Sequence, residues 1–277
     1  MIGKNAYRTM ILMIVRLLLA AVIGAGFFGC SVEEGFLYFP DVSRPSEESL
    51  RARRLKIWQA SLTDYRGLIS VEETARPKGT VIVFHGNAGK ASDRVFYVET
   101  FTALGYRVIL AEYPGYGGRR GSLGEKAFVT DAVETIRLAF EQFGGPQFLV
   151  GESLGCGVAA AAVAKTHIKT AGVILVTPWD TLVSVARSKF PYLPVRFLLT
   201  DRYDSIGNLK AYKGRVAVVG AEKDEIIPLK HAGNLYDSLR VGKKRMWIIK
   251  AAGHNNWPVY SQPSLWKELM EFMEGLD

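Results

Sequence analysis

With 277 residues, 48% of them hydrophobic, the chain has the apolar content for one large core, and an α/β domain of about 250 residues is an ordinary size for a single fold. That composition excludes a disordered or repetitive protein. The formal charge of +8 falls to +5 without Lys4, Arg8 and Arg16, and no basic motif interleaved with aromatics marks a nucleic-acid partner.

Residues 1–29 contain those three basic side chains and no acid, and an apolar run of 13 residues, 17–29, follows Arg16. A basic start followed by such a run reads as an export signal or membrane anchor. Phe27-Phe28-Gly29-Cys30-Ser31 resembles a bacterial lipobox, in which cleavage precedes a cysteine that becomes lipid-modified. The alternative is an uncleaved helix over residues 10–30, long enough to span a bilayer. Both readings put the rest of the chain outside the cytoplasm and tether it to a membrane. Residues 30–54 read as tether and surface linker, rich in Ser, Pro and Glu at 41–49; Arg51, Arg53, Arg54 and Lys56 follow beside Glu47 and Glu48.

The main folded domain is expected over 55–277. Residues 55–62 and 65–71 suit an antiparallel hairpin. The chain then alternates: strand 80–84, helix 94–104, strand 107–112, helix 123–143, strand 147–150, helix 154–165. Strands 171–176, 215–220 and 245–249, with helices 229–239 and 264–273, complete it. The longest helix repeats Val129, Ala132, Val133, Ile136, Phe140 and Phe143 at helical spacing. Such alternation implies a mostly parallel sheet covered by helices on both faces, with ligands at the carboxyl ends of the strands. Residues 179–213 break the pattern, too apolar for a plain loop and too rich in proline for one helix, and read as a small cap over the site.

Gly151-Glu152-Ser153-Leu154-Gly155 stands between a strand and a small-residue helix, the context in which a GxSxG segment holds a serine in a strained elbow. Ser153 is the candidate nucleophile. The same stretch also fits GxGxxA over residues 155–160, with Asp180 about 20 residues on, as a dinucleotide fingerprint would. A serine needs an imidazole to take its proton and an acid to fix the imidazole's tautomer. Of the four histidines, His254 follows the last strand on a Gly-containing loop. His231 lies in a helix, His167 in a polar turn, and His85 beside glycines that suggest a backbone role. The acid is expected before the histidine, and Asp224 follows strand 215–220, with Glu222 and Glu225 as rivals. Cys156, behind the elbow, suits a small buried residue, so a disulfide with Cys30 is not expected.

Over residues 55–275 these motifs resemble the α/β-hydrolases. His85-Gly86-Asn87-Ala88-Gly89 matches the HGNAG-type oxyanion loop, and Glu112-Tyr113-Pro114-Gly115-Tyr116-Gly117 the (D/E)YPGYG turn. Ser153 matches the elbow, Asp224 to Pro228 the DxxxP acid loop, and Gly253-His254-Asn255 the GHN end. The set resembles the branch of small membrane-associated serine hydrolases that includes protein depalmitoylases and bacterial relatives. Cys156 and Ala221 stand where that branch usually has glycine. The resemblance implies an α/β-hydrolase fold with a Ser153-Asp224-His254 triad and an oxyanion hole from the backbone N–H groups of Asn87 and Leu154. It argues against the dinucleotide reading, which leaves the late motifs unexplained.

The expected activity is cleavage of an ester or thioester through an acyl-enzyme, without cofactor or metal, on a small-molecule or acylated substrate. A serine peptidase and a non-catalytic, membrane-tethered binding protein are the alternatives.

Overall fold

The computed structural model describes residues 33–59, 65–71 and 76–276. The expected signal or anchor at 1–29, and Cys30, lie outside the described residues. No helix among the described residues is long and apolar enough to cross a membrane.

Eight strands form the central sheet: β1 Leu55–Trp58, β2 Gly67–Ser70, β3 Thr80–Phe84, β4 Arg107–Ala111, β5 Gln147–Glu152, β6 Gly172–Val176, β7 Arg215–Ala221 and β8 Lys244–Ile249. Their spatial order is β8-β7-β6-β5-β3-β4-β2-β1. β2 runs antiparallel to both β1 and β4, and every other pair is parallel. From β3 the chain crosses outward to β4 and later returns past it to β5, so the order reverses there. Such a reversal leaves a crevice at the strands' carboxyl ends.

The inner strands read as unbroken Val, Ile and Leu runs because both faces are covered. Alternate residues point to opposite sides. Ile82, Phe84, Ile109, Leu149, Val173 and Val218 join one core, while Val81, Val83, Leu110, Val150, Ile174 and Val219 join the other. The first core is closed by helices Glu125–Phe143, Leu154–Lys165 and Leu229–Ser238, the second by Val95–Ala103 and Pro263–Glu274. Glu125–Phe143 buries Phe128, Val129, Ala132 and Ile136 along one stripe.

Two expectations change in detail. The stretch expected as a surface linker is docked from residue 33 onward. Tyr38 is buried against Phe128, and Phe39–Pro40 pairs in parallel with Ala88–Gly89. Glu33 accepts the N–H groups of Thr200 (2.7 Å) and Asp201 (3.1 Å). The polar composition of 41–49 misled because the anchoring side chains, Glu33, Tyr38 and Leu50, are isolated rather than periodic. The cap segment, in turn, forms short helices Leu182–Lys189, Val195–Leu198 and Ser205–Leu209. These pack against Leu154–Lys165 and the loop after β7 and flank the crevice instead of roofing it; Gly157 is glycine because a Cβ there would press on the Tyr203 ring.

Candidate active site

Ser153 begins at a backbone that L-residues avoid, with φ 52° and ψ −114°. Such strain costs about 1–3 kcal/mol and persists only where the surroundings fix it. β5 enters the turn hydrogen-bonded to β6, the Ser153 N–H donates to Val176 O (2.9 Å), and Cys156 N–H donates back to Ser153 O (2.9 Å). The flanking glycines are obligatory. A Cβ on Gly151 would lie 2.6 Å from Cys156 Cα, and one on Gly155 would lie 2.6 Å from the Phe84 carbonyl carbon. β5 and Leu154–Lys165 can meet this closely, beside the end of β3, only without those side chains.

Cys156 is fully buried, and its thiol reaches the carbonyls of Gly151 (3.1 Å) and Val176 (3.2 Å). Burial pushes this thiol well above its ordinary pKa, so it stays a neutral donor that braces the turn.

His254 follows β8 and Asp224 follows β7. His254 Nε2 lies 2.9 Å from Ser153 Oγ, and His254 Nδ1 lies 2.8 Å from Asp224 Oδ2. The other Asp224 oxygen accepts the N–H groups of Ile226 (3.0 Å) and Ile227 (2.7 Å). That Asx-type turn pins the carboxylate and points one lone-pair edge at the ring. All three side chains are buried. The two acidic rivals do not touch the imidazole through their carboxylates. Glu222 accepts Ala251 N–H (2.9 Å) and pairs with Lys250, while Glu225 accepts His254 N–H (3.2 Å). The Ala251 N–H holds the Glu222 carboxyl below the usual range, and Glu225's own N–H, with that of His254, does the same for Glu225, so both remain ionised braces of the histidine loop.

The loop after β3 is held from beneath by Glu112. Its carboxylate meets His85 Nε2 (3.0 Å) and accepts Ala91 N–H (3.0 Å). Tyr113 OH donates to His85 O (2.8 Å) and Tyr116 OH to Asn87 O (2.7 Å). The EYPGYG motif is thus the undercarriage of the HGNAG loop, and His85 is a structural histidine. Asn87 also accepts Phe39 N–H (2.9 Å) and donates its side chain to Leu37 O (2.9 Å). These bonds fix the Asn87 carbonyl and amide, and its N–H is the remaining donor. Leu154, its side chain fully buried, is the first residue of Leu154–Lys165, where helix N–H groups have no intrahelical acceptor.

A cleft of about 410 Å³ opens over Ser153 and His254, lined also by Asn87, Arg94, Phe96 and Trp257. No cap residue lines it. One feature of its wall escaped the sequence reading. Glu152, beside the serine, takes Arg94 Nε (2.9 Å) and Tyr97 OH (3.1 Å). Neither partner stands in a motif, so only the fold brings the three together. Among the described residues no cluster of metal-ligating side chains occurs.

The serine aminopeptidase family model (Hydrolase_4, S33) matches residues 75–193, a span that includes Ser153 and stops short of Asp224 and His254. An uncharacterized protein of Mycobacterium tuberculosis is 32% identical over 183 residues, covering 64% of this chain and 63% of that protein. The protein bem46 of Schizosaccharomyces pombe is 28% identical over 80% of this chain and 82% of its own length. The lysophosphatidylserine lipase ABHD12 of Danio rerio is 27% identical over 70% of this chain and 58% of its own length. The chain thus spans somewhat under two thirds of the first of these relatives. Among solved structures, the Pyrococcus furiosus esterase Pf2001 superposes with a TM-score of 0.67 at 15% identity, over 86% of this chain and 97% of that one. The likeness at that identity is one of fold.

Proposed function

We propose that this chain, a member of the α/β-hydrolase superfamily, is a serine hydrolase that cleaves an ester or thioester through an acyl-enzyme on Ser153. The observation that carries the reading is the continuous hydrogen-bond chain from Asp224 through His254 to Ser153. With Nδ1–H donated to Asp224, His254 presents its Nε2 lone pair to the Ser153 hydroxyl and takes its proton as the oxygen attacks the carbonyl carbon. Asp224 stabilises the imidazolium that results. The tetrahedral oxyanion is held by the N–H groups of Asn87 and Leu154, donors fixed before the charge develops. His254 then protonates the leaving alcohol or thiol. Water, deprotonated by His254, releases the acid and restores the serine.

An ester or thioester is favoured by the apolar side chains of Phe96, Trp257 and Pro258 in the cleft lining and by the lipase and esterase names among the similar proteins. A serine peptidase is the second reading, favoured by the name of the matching family model. A series of fatty-acyl p-nitrophenyl esters and acyl thioesters, run beside an aminoacyl-anilide series, separates them: ester or thioester turnover with chain-length preference supports the proposal, and turnover confined to the anilides overturns it.

The proposal extends to place. Residues 1–29, basic then apolar, would export the chain and hold it to a membrane, as a lipoprotein beginning at Cys30 or through an uncleaved helix. Intact mass of the membrane-extracted protein distinguishes a start at lipidated Cys30 from a start at Met1. An active domain on the cytoplasmic side would contradict both.

A further inference from the structure

Between residues 182 and 200 the sequence carries three basic side chains, Arg187, Lys189 and Arg196, and no acidic one. The same stretch turns its largest apolar side chains outward. Tyr192 is 97% exposed and Phe197 86%, with Phe190, Leu193 and Leu198 about half exposed. Scattered exposed apolar residues are common, but five within nine residues form a patch. Beside them lies a cavity of about 650 Å³ lined by Arg187, Arg196, Arg202 and Asp204 together with Leu193 and Val195. Among the described residues neither Arg187 nor Arg196 has a carboxylate partner; Arg202 donates to Arg196 O (2.7 Å) and holds the turn in place.

Exposed aromatics beside a cavity where three arginines face the single carboxylate of Asp204 are the composition of a segment that lies in a membrane interface, rings at the acyl boundary and guanidinium groups among the phosphates. The chain's own path brings such a surface within reach. Glu33 is bonded to the N–H groups of Thr200 and Asp201, two and three residues past Leu198. Only residues 30–32 separate Glu33 from the apolar run 17–29. Four extended residue steps span at most about 14 Å. The cap also touches the catalytic side: Lys189 Nζ donates to Glu225 O (2.7 Å), and Glu225 holds His254 N–H.

We infer that residues 190–198 with Arg187 and Arg196 are a membrane-docking surface, seated in the interface of an anionic phospholipid bilayer beside the point where the N-terminal tether enters. The argument from reach rests on the tether reading of residues 1–29. Docking here would hold the cleft at a fixed orientation to the bilayer from which an acylated substrate is drawn.

The test places a bimane at Tyr192→Cys in the full chain, with the labelled parent chain as background, in phosphatidylcholine vesicles with and without phosphatidylglycerol. Vesicle flotation is scored separately. The expected result is a blue-shifted bimane, quenched by doxyl-labelled lipid and shielded from iodide, with the shift larger when phosphatidylglycerol is present. Arg187→Gln with Arg196→Gln should remove that lipid dependence while leaving the melting temperature unchanged. A chain that floats while position 192 stays open to iodide overturns the docking surface and leaves the tether standing. A chain that does not float and shows no shift overturns both. A shift without lipid that grows with protein concentration assigns the patch to self-association and also overturns the inference.

Discussion

Asp224 Oδ2 stands 2.8 Å from His254 Nδ1 while its partner oxygen is occupied by the N–H groups of Ile226 and Ile227, so the carboxylate has one orientation and the ring one tautomer. Asp224→Asn should therefore present an N–H where the ring needs an acceptor and lower the rate about 10⁴-fold, as in serine proteases. Glu222→Gln and Glu225→Gln keep an amide oxygen for Ala251 and His254 N–H and should change kcat less than about tenfold. Steady-state kinetics on one ester checks all three. A crippled Glu222→Gln with an active Asp224→Asn would assign the acid wrongly.

Gly155 leaves no room for a methyl group against the carbonyls of Phe84 and His85, which are backbone atoms that cannot step aside. Gly155→Ala should cost about 3 kcal/mol or more, at the upper end of overpacking, and open the elbow. Ala at Gly233, where a Cβ meets nothing within 4 Å, should be neutral or stabilising. Urea denaturation midpoints compare the two directly.

The raised pKa of the Cys156 thiol makes it a poor nucleophile. In the folded protein it should resist iodoacetamide at pH 8.5 and react only on unfolding. Because its folded pKa lies above the unfolded value, near 8.5, it contributes stability that is complete below that value and lost as pH rises toward the folded pKa. Cys156→Ser should flatten that alkaline decline. Rapid alkylation of the native chain would contradict the account.

Arg94 and Glu152 are both partly buried in the cleft wall. Arg94→Met strands the carboxylate and should cost about 1–3 kcal/mol. The double change with Glu152→Gln should recover much of it. A thermal-unfolding double-mutant cycle reads the coupling. Additive effects would show that the pair does not act as a unit.

The candidate site, as the meeting of Ser153, His254 and Asp224, was legible in the sequence because each of these residues sits where the chain is locally constrained. Ser153 needs two glycines, Asp224 needs the turn that Ile226 and Ile227 close, and His254 needs a Gly-containing loop after the last strand. The parallel sheet was legible for a similar reason, since strands buried on both faces must be apolar throughout. What sequence did not disclose are relationships between distant, aperiodic residues. Glu33 with Thr200 and Arg94 with Glu152 are 167 and 58 positions apart. Nothing local marks either pair. The course of the cap segment was hidden for another reason: the prolines at 191 and 194 break it into short helices that turn its apolar side chains outward.

The central claim is that Ser153 is a nucleophile activated by His254. Treating the purified chain with a fluorophosphonate probe, followed by peptide mass spectrometry, tests it most directly. The account predicts a single covalent adduct on Ser153, abolished in Ser153→Ala together with turnover, a loss on the order of a million-fold. It further predicts strong suppression of labelling in His254→Ala. An adduct of undiminished intensity on the Ser153→Ala chain, or its appearance on another serine, would contradict it.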